Sequence, residues 1–125
     1  LAAIKKGDVI CDRYVQSTLA YHSAKFSGAQ AAEFLKTIET IAFNKLTLPK
    51  PTIVLYLHVP VEVARRLMEH KKKDQHERNM AYQARVAAAY AGLAKRKNWK
   101  TIECVQAGRM RSIEEIHEDI VRVAR

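Results

Sequence analysis

The feature that most constrains the fold is an alternation of apolar, strand-like runs with amphipathic helical patterns. Besides a third predicted strand at 99–105, apolar runs with little polar alternation occur at residues 8–11 and 52–59. Such runs are typical of strands that a parallel sheet buries on both faces. The segments between them repeat apolar residues every three or four positions, as one side of a helix does. The alternation predicts an α/β fold in which a parallel sheet is flanked by helices.

Proline and capping residues set the expected helix boundaries. The helical period of residues 28–46 stops before Pro49 and Pro51, because proline cannot continue a helix and favours an extended predecessor. Pro60 suits the first turn of a helix that reaches about Glu69. A further helix is predicted at 17–24, a charged connection at 70–79 and a polar turn at 106–111.

Two more helices are predicted from their apolar stripes. The first carries Tyr82, Val86, Tyr90 and Leu93 on one side. The last begins with the capping-box residues Ser112 and Glu115, and its apolar residues are Ile113, Ile116, Ile120 and Val123.

Length and cysteine usage narrow the class of protein. The 125 residues fit one domain, 1–125. The longest apolar stretch, residues 53–60, is far shorter than the ~20 residues that cross a bilayer, so no membrane span is expected. The first seven residues lack the charge order and apolar centre of a signal peptide. Cys11 and Cys104 lie in strand-like runs and are expected to be reduced and buried, which favours a cytoplasmic location.

The net charge of +9 indicates attraction to polyanions. Nucleic acid, an anionic membrane surface and a nucleotide with several phosphates would all satisfy this charge. The charge alone does not choose among them.

An acid and an arginine, Asp12 and Arg13, directly follow the first predicted strand. The carboxyl ends of parallel strands are where α/β sheets bind ligands. A carboxylate beside a planar cation at that edge suits metal and phosphate handling. An Asp-Arg pair taken alone is more often a solvated strand end. Its interpretation therefore depends on the surrounding residues.

Those surroundings resemble the thymidylate kinase family. Residues 9–21, VICDRYVQSTLAY, closely resemble its Asp-Arg-Tyr/His segment. Leu-Pro-Lys-Pro at 48–51 leads into an apolar strand, and Val-Pro-Val-Glu-Val-Ala follows at 59–64, in the order and spacing of the family. The resemblance continues through residues 73–77, the following apolar stripe and the closing helix, and covers essentially the whole chain.

The resemblance implies a fold of the P-loop nucleoside-monophosphate-kinase type, incomplete in this chain. It also implies transfer of the γ-phosphate of ATP to dTMP, giving dTDP, with Mg²⁺ as the helper ion. By position, Arg13 would hold the acceptor phosphate and reach toward the transferred group, while Asp12 would serve Mg²⁺ and its water shell. Thr18 and Tyr21, three apart on a short helix, would contact thymine and crowd the sugar, with Ser17 a weaker candidate.

The resemblance also implies a mobile lid, at about residues 69–80. Its cations would close over the ATP phosphates. The chain departs from the family pattern here, since many relatives use arginine in the lid and have an Asp-Arg pair where this chain has Asp74 and Gln75. Which cation approaches the phosphates is therefore left open. The candidates are Lys71, Lys72, Lys73, Arg65, Arg66 and Arg78.

The remaining ATP-binding parts are a loop and an absent motif. The loop that lies against adenine in the family corresponds to Gln106 and Ala107. A phosphate loop, G-x-x-x-x-G-K-[ST], is not found in the chain, because none of its four glycines precedes a lysine. The family carries that loop upstream of the Asp-Arg-Tyr segment. We therefore expect a longer parent protein, with this chain alone inactive.

Two other functions stay open from the sequence. The first is another nucleoside or nucleotide kinase of the same fold. The second is a non-catalytic, basic nucleic-acid-binding module, which is disfavoured because the aromatic residues lie mostly on apolar stripes and not among the basic run. The expected partners are ATP and dTMP, without nucleic acid or membrane. A homodimer through the helix at 28–46 is left open.

Overall fold

The computed structural model describes residues 4–69 and 76–125. The chain divides into two compact units, Leu1–Pro51 and Thr52–Arg125. Each unit has buried residues of its own. The prediction of a single domain over residues 1–125 stays a prediction.

The first unit is helical. Helix α1, Val15–Ser23, precedes helix α2, Gly28–Glu39, which continues into a π-helical segment, Thr40–Lys45. The amide of Leu46 donates to the carbonyl of Ile41 at 2.8 Å, and this bond across five residues fits the wider π-helical turn. Both helices predicted in this part of the chain are confirmed within a few residues of their expected ends.

Helix α1 supplies most of the buried residues of the first unit. Leu19 and Ala20 are fully buried, and Ser23 and Ala24 are 5% exposed. Helix α1 packs against α2, and the rings of Phe26 and Phe34 lie 5.3 Å apart beside this contact. The apolar side of α1 is thus fixed inward, which leaves its other side for the candidate site.

The strand predicted at residues 8–11 is wrong. These residues form no regular element, and Ile10 is 97% exposed and Val9 46% exposed. A strand is held by hydrogen bonds to a neighbouring strand, and no strand of the described residues pairs with this segment. Cys11 is consequently exposed, contrary to expectation, whereas Cys104 is buried as predicted; both thiols are free.

A two-stranded parallel sheet forms the centre of the second unit. Strand β1, Val54–His58, pairs in parallel with β2, Trp99–Glu103, so that Val54 lies opposite Trp99 and His58 opposite Glu103. Helix α3, Val61–Met68, and helix α4, His76–Leu93, lie between the strands in sequence. This βαβ-type connection is the one that parallel pairing requires, and it confirms the predicted α/β class for this unit.

Aromatic and aliphatic side chains make the core of the second unit. The rings of Tyr56 and Tyr90 stack at 5.1 Å, and Trp99 lies 6.4 Å from each of them. Burial, together with Tyr90 and Glu103 nearby, raises the pKa of the Tyr56 phenol. The predicted stripe of α4 faces inward, with Val86 and Leu93 each 3% exposed. Helix α4 begins at His76, inside the stretch 70–79 that was predicted as a connection, and residues 70–75 lie outside the described residues.

A small hairpin follows β2 where a polar turn was predicted. Strands β3, Val105–Gln106, and β4, Arg109–Met110, pair antiparallel. Ala107 and Gly108 connect them with φ of +50° and +74°. Two left-handed residues in a two-residue loop suit the twist of a hairpin, and glycine adopts this conformation at low cost. The third strand predicted at 99–105 therefore ends at Glu103, and its last residue belongs to the hairpin.

Helix α5, Ile113–Ala124, closes the second unit. The Ser112 hydroxyl accepts the amide of Glu115, and the Glu115 carboxylate accepts the amide of Ser112, which confirms the predicted capping box. The Arg111 guanidinium donates to Glu103 O at 2.7 Å and to Asp119 Oδ2 at 2.8 Å. It thereby joins β2 to α5. Ile113 was expected on the buried side of this helix but is 82% exposed at its first turn.

Stability in acid is expected to depend on Asp119. Its hydrogen bond with Arg111 lowers the pKa of the Asp119 carboxyl below the ordinary 3.8. Because the folded pKa lies below the unfolded one, this pair stabilises the fold above about pH 4, and the contribution is lost as pH falls through the folded pKa. We expect Asp119→Asn to melt below wild type at neutral pH, with the gap closing in acid. Thermal unfolding of both proteins, followed by circular dichroism from neutral to acidic pH, measures the difference in melting temperature.

The control for this prediction is Arg122→Gln. Arg122 also contacts Asp119, but its side chain is 75% exposed, so the loss of this ion pair is expected to change the melting temperature little. A gap between Asp119→Asn and wild type that stayed constant with pH would contradict the role given to the carboxylate.

None of the helices in the described part of the chain is long and apolar enough to cross a membrane.

Candidate functional site

The corner formed by Asp12 and Arg13 is the centre of the candidate site in the first unit. Both residues are exposed and lie on a bend just before α1. Arg13 has a φ of +64°, a left-handed conformation that is uncommon for residues other than glycine. Such conformations cluster at functional sites, because the surrounding structure must hold them in place.

The side chain of Arg13 lies over an aromatic ring. Its Cζ is 5.6 Å from the ring centroid of Tyr21. A guanidinium at this distance is attracted to the negative face of the ring. The structure thus brings together two of the predicted site residues, Arg13 and Tyr21.

The exposed side of α1 carries the other predicted acceptor-site residues. Thr18 is exposed, and Ser17 and Tyr21 are partly exposed. Because a helix turns by 3.6 residues, Ser17, Thr18 and Tyr21 share one side. The buried residues Leu19 and Ser23 lie on the opposite side. Ser17, Thr18 and Tyr21 therefore form a polar and aromatic wall next to the Arg13 corner.

Tyr14 ties this corner to a distant part of the same unit. Its hydroxyl donates to the carbonyl of Pro49 at 3.0 Å. Its own carbonyl accepts the amide of Ser17 at 3.0 Å, at the start of α1. Sequence reasoning did not find the Pro49 contact, since the two residues are 35 positions apart and no local pattern joins them.

The second unit holds the predicted adenine loop. Gln106 and Ala107 are exposed, at the end of β3 and in the hairpin turn. The Arg66 guanidinium on α3 donates to the carbonyl of Gly108 in this turn at 3.1 Å. Arg66 was one of the candidates for the ATP phosphates. In the structure its side chain contacts the hairpin turn.

The other predicted lid cations lie on α3, on α4 or outside the described residues. Lys71, Lys72 and Lys73 lie outside the described residues. Arg78 belongs to α4, but its side chain is not among those that the structure describes. Arg65 is exposed near the end of α3.

Two strand ends meet in a pair that the sequence analysis missed. His58 Nδ1 lies 2.7 Å from Glu103 Oε2, and the two residues end β1 and β2 at the same edge of the sheet. This pair could have been predicted from the sequence, because parallel strands bring their last residues together.

Cys104, which follows β2, is buried. Burial raises the pKa of its thiol, which keeps the thiol protonated and unreactive.

The described residues contain no cluster of three or more His, Cys, Asp or Glu side chains that could hold a metal ion. Mg²⁺ needs no such cluster, because it is usually held by one or two carboxylates, water and substrate phosphates. The exposed carboxylate of Asp12, next to a cation suited to phosphate, is compatible with that kind of binding.

The second unit has a parallel sheet with βαβ connectivity, and the first has an acid–arginine corner beside a polar helix wall. Each feature is compatible with an α/β protein that binds phosphate groups. Comparison with known proteins makes this class specific. The family model described as "Thymidylate kinase" matches residues 2–120. The chain belongs to the thymidylate kinase family, and its fold class is that of the P-loop nucleoside monophosphate kinases.

Individual relatives agree with the family match. The chain is 35% identical to the "Probable thymidylate kinase" of Pyrococcus abyssi, over 100% of the chain and 56% of the relative. It is 35% identical to the "Probable thymidylate kinase" of Methanocaldococcus jannaschii, over 94% and 54%. It is 36% identical to the "Thymidylate kinase" of Symbiobacterium thermophilum, over 97% and 54%. The chain spans about half the length of these curated relatives.

Proposed function

We propose that the protein containing this chain is a thymidylate kinase, which transfers the γ-phosphate of ATP to dTMP and forms dTDP. Membership of the family supports the reaction. The observation that carries it is the Arg13 corner, where an exposed guanidinium lies over Tyr21 beside Asp12. This chain supplies the acceptor side and part of the ATP side of the site, and we expect it to be inactive without a phosphate loop.

Arg13 acts on the acceptor phosphate in this proposal. Phosphoryl transfer depends mainly on positioning and on neutralising charge, and a planar guanidinium can hold phosphate oxygens with two hydrogen bonds. The ring of Tyr21 restricts the guanidinium on one side. The contact with the ring uses none of the N–H donors of Arg13, so these can bind the phosphate of dTMP and the transferred group.

The exposed wall of α1 binds the nucleoside. Thr18 and Ser17 offer hydroxyl groups for hydrogen bonds, and Tyr21 offers a ring that fills the space beside the sugar. A ring at that place leaves less room for a ribose 2′-hydroxyl than for deoxyribose. The wall therefore favours dTMP over a ribonucleotide.

Asp12 would hold Mg²⁺ indirectly, through water. When bound, Mg²⁺ neutralises charge on the phosphates during transfer. On the ATP side, Gln106 and Ala107 are the residues for adenine, and the cation for the phosphates comes from the candidates Lys71, Lys72, Lys73 and Arg78. Arg66 donates to the carbonyl of Gly108 at 3.1 Å, so we propose that it supports the adenine loop.

The test uses the full-length protein with ATP and Mg²⁺. Phosphorylation rates are compared for thymidine, dTMP and UMP. We expect dTMP to be the preferred acceptor. A clear preference for the nucleoside thymidine would instead indicate another kinase of the same fold, and a preference for UMP would contradict the role given to Tyr21.

A nucleic-acid-binding module is the alternative from a different class, because the net charge is +9. Sub-micromolar, salt-dependent binding of DNA in a gel shift, together with no affinity of the full-length protein for dTMP, would favour it. We expect the reverse result.

We also propose a cytoplasmic homodimer. The two free cysteines support a reducing compartment. The dimer is supported by the π-helical segment that continues α2, in which the apolar side chain of Ile41 is 44% exposed. Sedimentation of the full-length protein, with Ile41→Lys as the disruptive variant, measures the oligomeric state.

A further inference from the structure

Tyr14 is the residue at which the Arg13 corner is attached to the rest of the first unit. Its hydroxyl reaches the Pro49 carbonyl at 3.0 Å in a partly buried contact. Its backbone carbonyl accepts the amide of Ser17 at 3.0 Å. Tyr14 is thus held at both its side chain and its main chain, directly after Arg13.

The acceptor of the hydroxyl bond is a rigid segment. Pro49 and Pro51 have ring-fixed φ angles. The amide of Leu48 donates to the carbonyl of Ala42 at 2.9 Å, which ties the segment to the π-helical turn. The Pro49 carbonyl therefore has a fixed position within the unit, and a hydroxyl bonded to it is fixed as well.

The backbone of Arg13 needs such support. Its φ of +64° is unfavourable for a residue with a Cβ. A conformation of this kind persists only where the neighbouring structure determines it. The following residue, Tyr14, provides two of the hydrogen bonds that do so. If the backbone relaxed to an ordinary φ, the Arg13 side chain would leave its place over Tyr21.

We propose that Tyr14 is a positioning residue, whose hydroxyl bond to Pro49 holds Arg13 in the left-handed conformation with its guanidinium over Tyr21. The proposal rests on the proposed function, since that function gives Arg13 its phosphate. Tyr14 acts through Arg13, and its loss reduces the chemical step more than it weakens ATP binding.

The position of Arg13 is tested by NMR, without any substrate. In the full-length protein the ring of Tyr21 shifts the side-chain resonances of Arg13, and Tyr21→Leu removes that shift as a positive control. We expect Tyr14→Phe, which deletes only the hydroxyl, to move these resonances in the same direction. Ser23→Ala, which deletes another hydroxyl bond, to the Ala20 carbonyl in α1, is expected to leave them in place. Unchanged Arg13 resonances in Tyr14→Phe would overturn the proposal.

The consequence for catalysis is tested by kinetics. We expect Tyr14→Phe to lower kcat for dTMP by about tenfold to a hundredfold, with the KM for ATP nearly unchanged, because misplacing a catalytic group by about 1 Å costs up to about a hundredfold. In an Arg13→Ala background the same change is expected to have no further effect, since residues acting through one another are not additive. Ser23→Ala is expected to keep the wild-type kcat even if it lowers the melting temperature.

The outcomes separate this proposal from the proposed function. Additive losses from Tyr14→Phe and Arg13→Ala would show that Tyr14 acts independently of Arg13 and would overturn the positioning role. A wild-type protein with no dTMP phosphorylation would overturn the proposed function, while the Arg13 resonances would still decide whether Tyr14 positions that side chain.

Discussion

Arg13→Ala is expected to lower kcat/KM for dTMP about a thousandfold in the full-length protein. An arginine that stabilises charge in phosphoryl transfer contributes about 10³ or more to the rate. Arg13 has the geometry for this role, because it is exposed at a bend with its guanidinium over Tyr21. Arg13→Lys keeps the charge but loses the planar pair of donors. Its activity is expected to fall between those of wild type and Arg13→Ala.

The matched control is Lys25→Ala. Lys25 is an exposed cation of the same unit, so the variant loses the same charge without touching the corner. Its steady-state rates are expected to stay within about twofold of wild type. If both variants lost the same activity, the effect would come from the net charge and not from Arg13. Circular dichroism of each variant shows whether it is folded.

Leu19→Ala is expected to lower the free energy of unfolding by about 2–5 kcal/mol, the range for truncating a fully buried leucine. Leu19 has no exposed surface and is the largest fully buried side chain in the described structure. The lost methyl groups leave a cavity on the inner side of α1, since packed interiors fill such a space only in part. Urea unfolding followed by far-ultraviolet circular dichroism measures the change.

Leu46→Ala provides the same substitution at an exposed position. Leu46 is 61% exposed in the same unit, so its truncation is expected to cost less than about 1 kcal/mol. Equal losses for the two variants would contradict the assignment of Leu19 to the core. The difference between them matters because total stabilities are only about 5–15 kcal/mol.

The helical periods and the proline positions were sufficient to predict most of the regular elements. Strand β1 begins after Pro51, and Ser112 with Glu115 marks the start of α5, because these residues act locally. The strand expected at residues 8–11 could not be judged from its own composition. Its apolar residues are suitable for a strand, but a strand also needs a hydrogen-bonding neighbour, and composition gives no information about that neighbour.

Some features of the candidate site could be predicted from the sequence and others could not. The shared side of Thr18 and Tyr21 follows from helix geometry and was predicted. The bonds from Tyr14 to Pro49 and from Arg66 to Gly108 join residues 35 and 42 positions apart. Contacts of that span depend on how elements pack, which no local pattern encodes. The left-handed backbone of Arg13 could not be predicted either, since arginine has no preference for this conformation.

The aromatic core of the second unit has an optical consequence. Trp99 is the single tryptophan of the chain, it is 6% exposed, and it lies within energy-transfer distance of Tyr56 and Tyr90. Light that excites only indole therefore reports on the unit Thr52–Arg125, whereas the unit with the Arg13 corner contributes no emission. Within this chain, indole fluorescence thus follows the unfolding of the second unit alone, whereas far-ultraviolet circular dichroism follows the helices of both units.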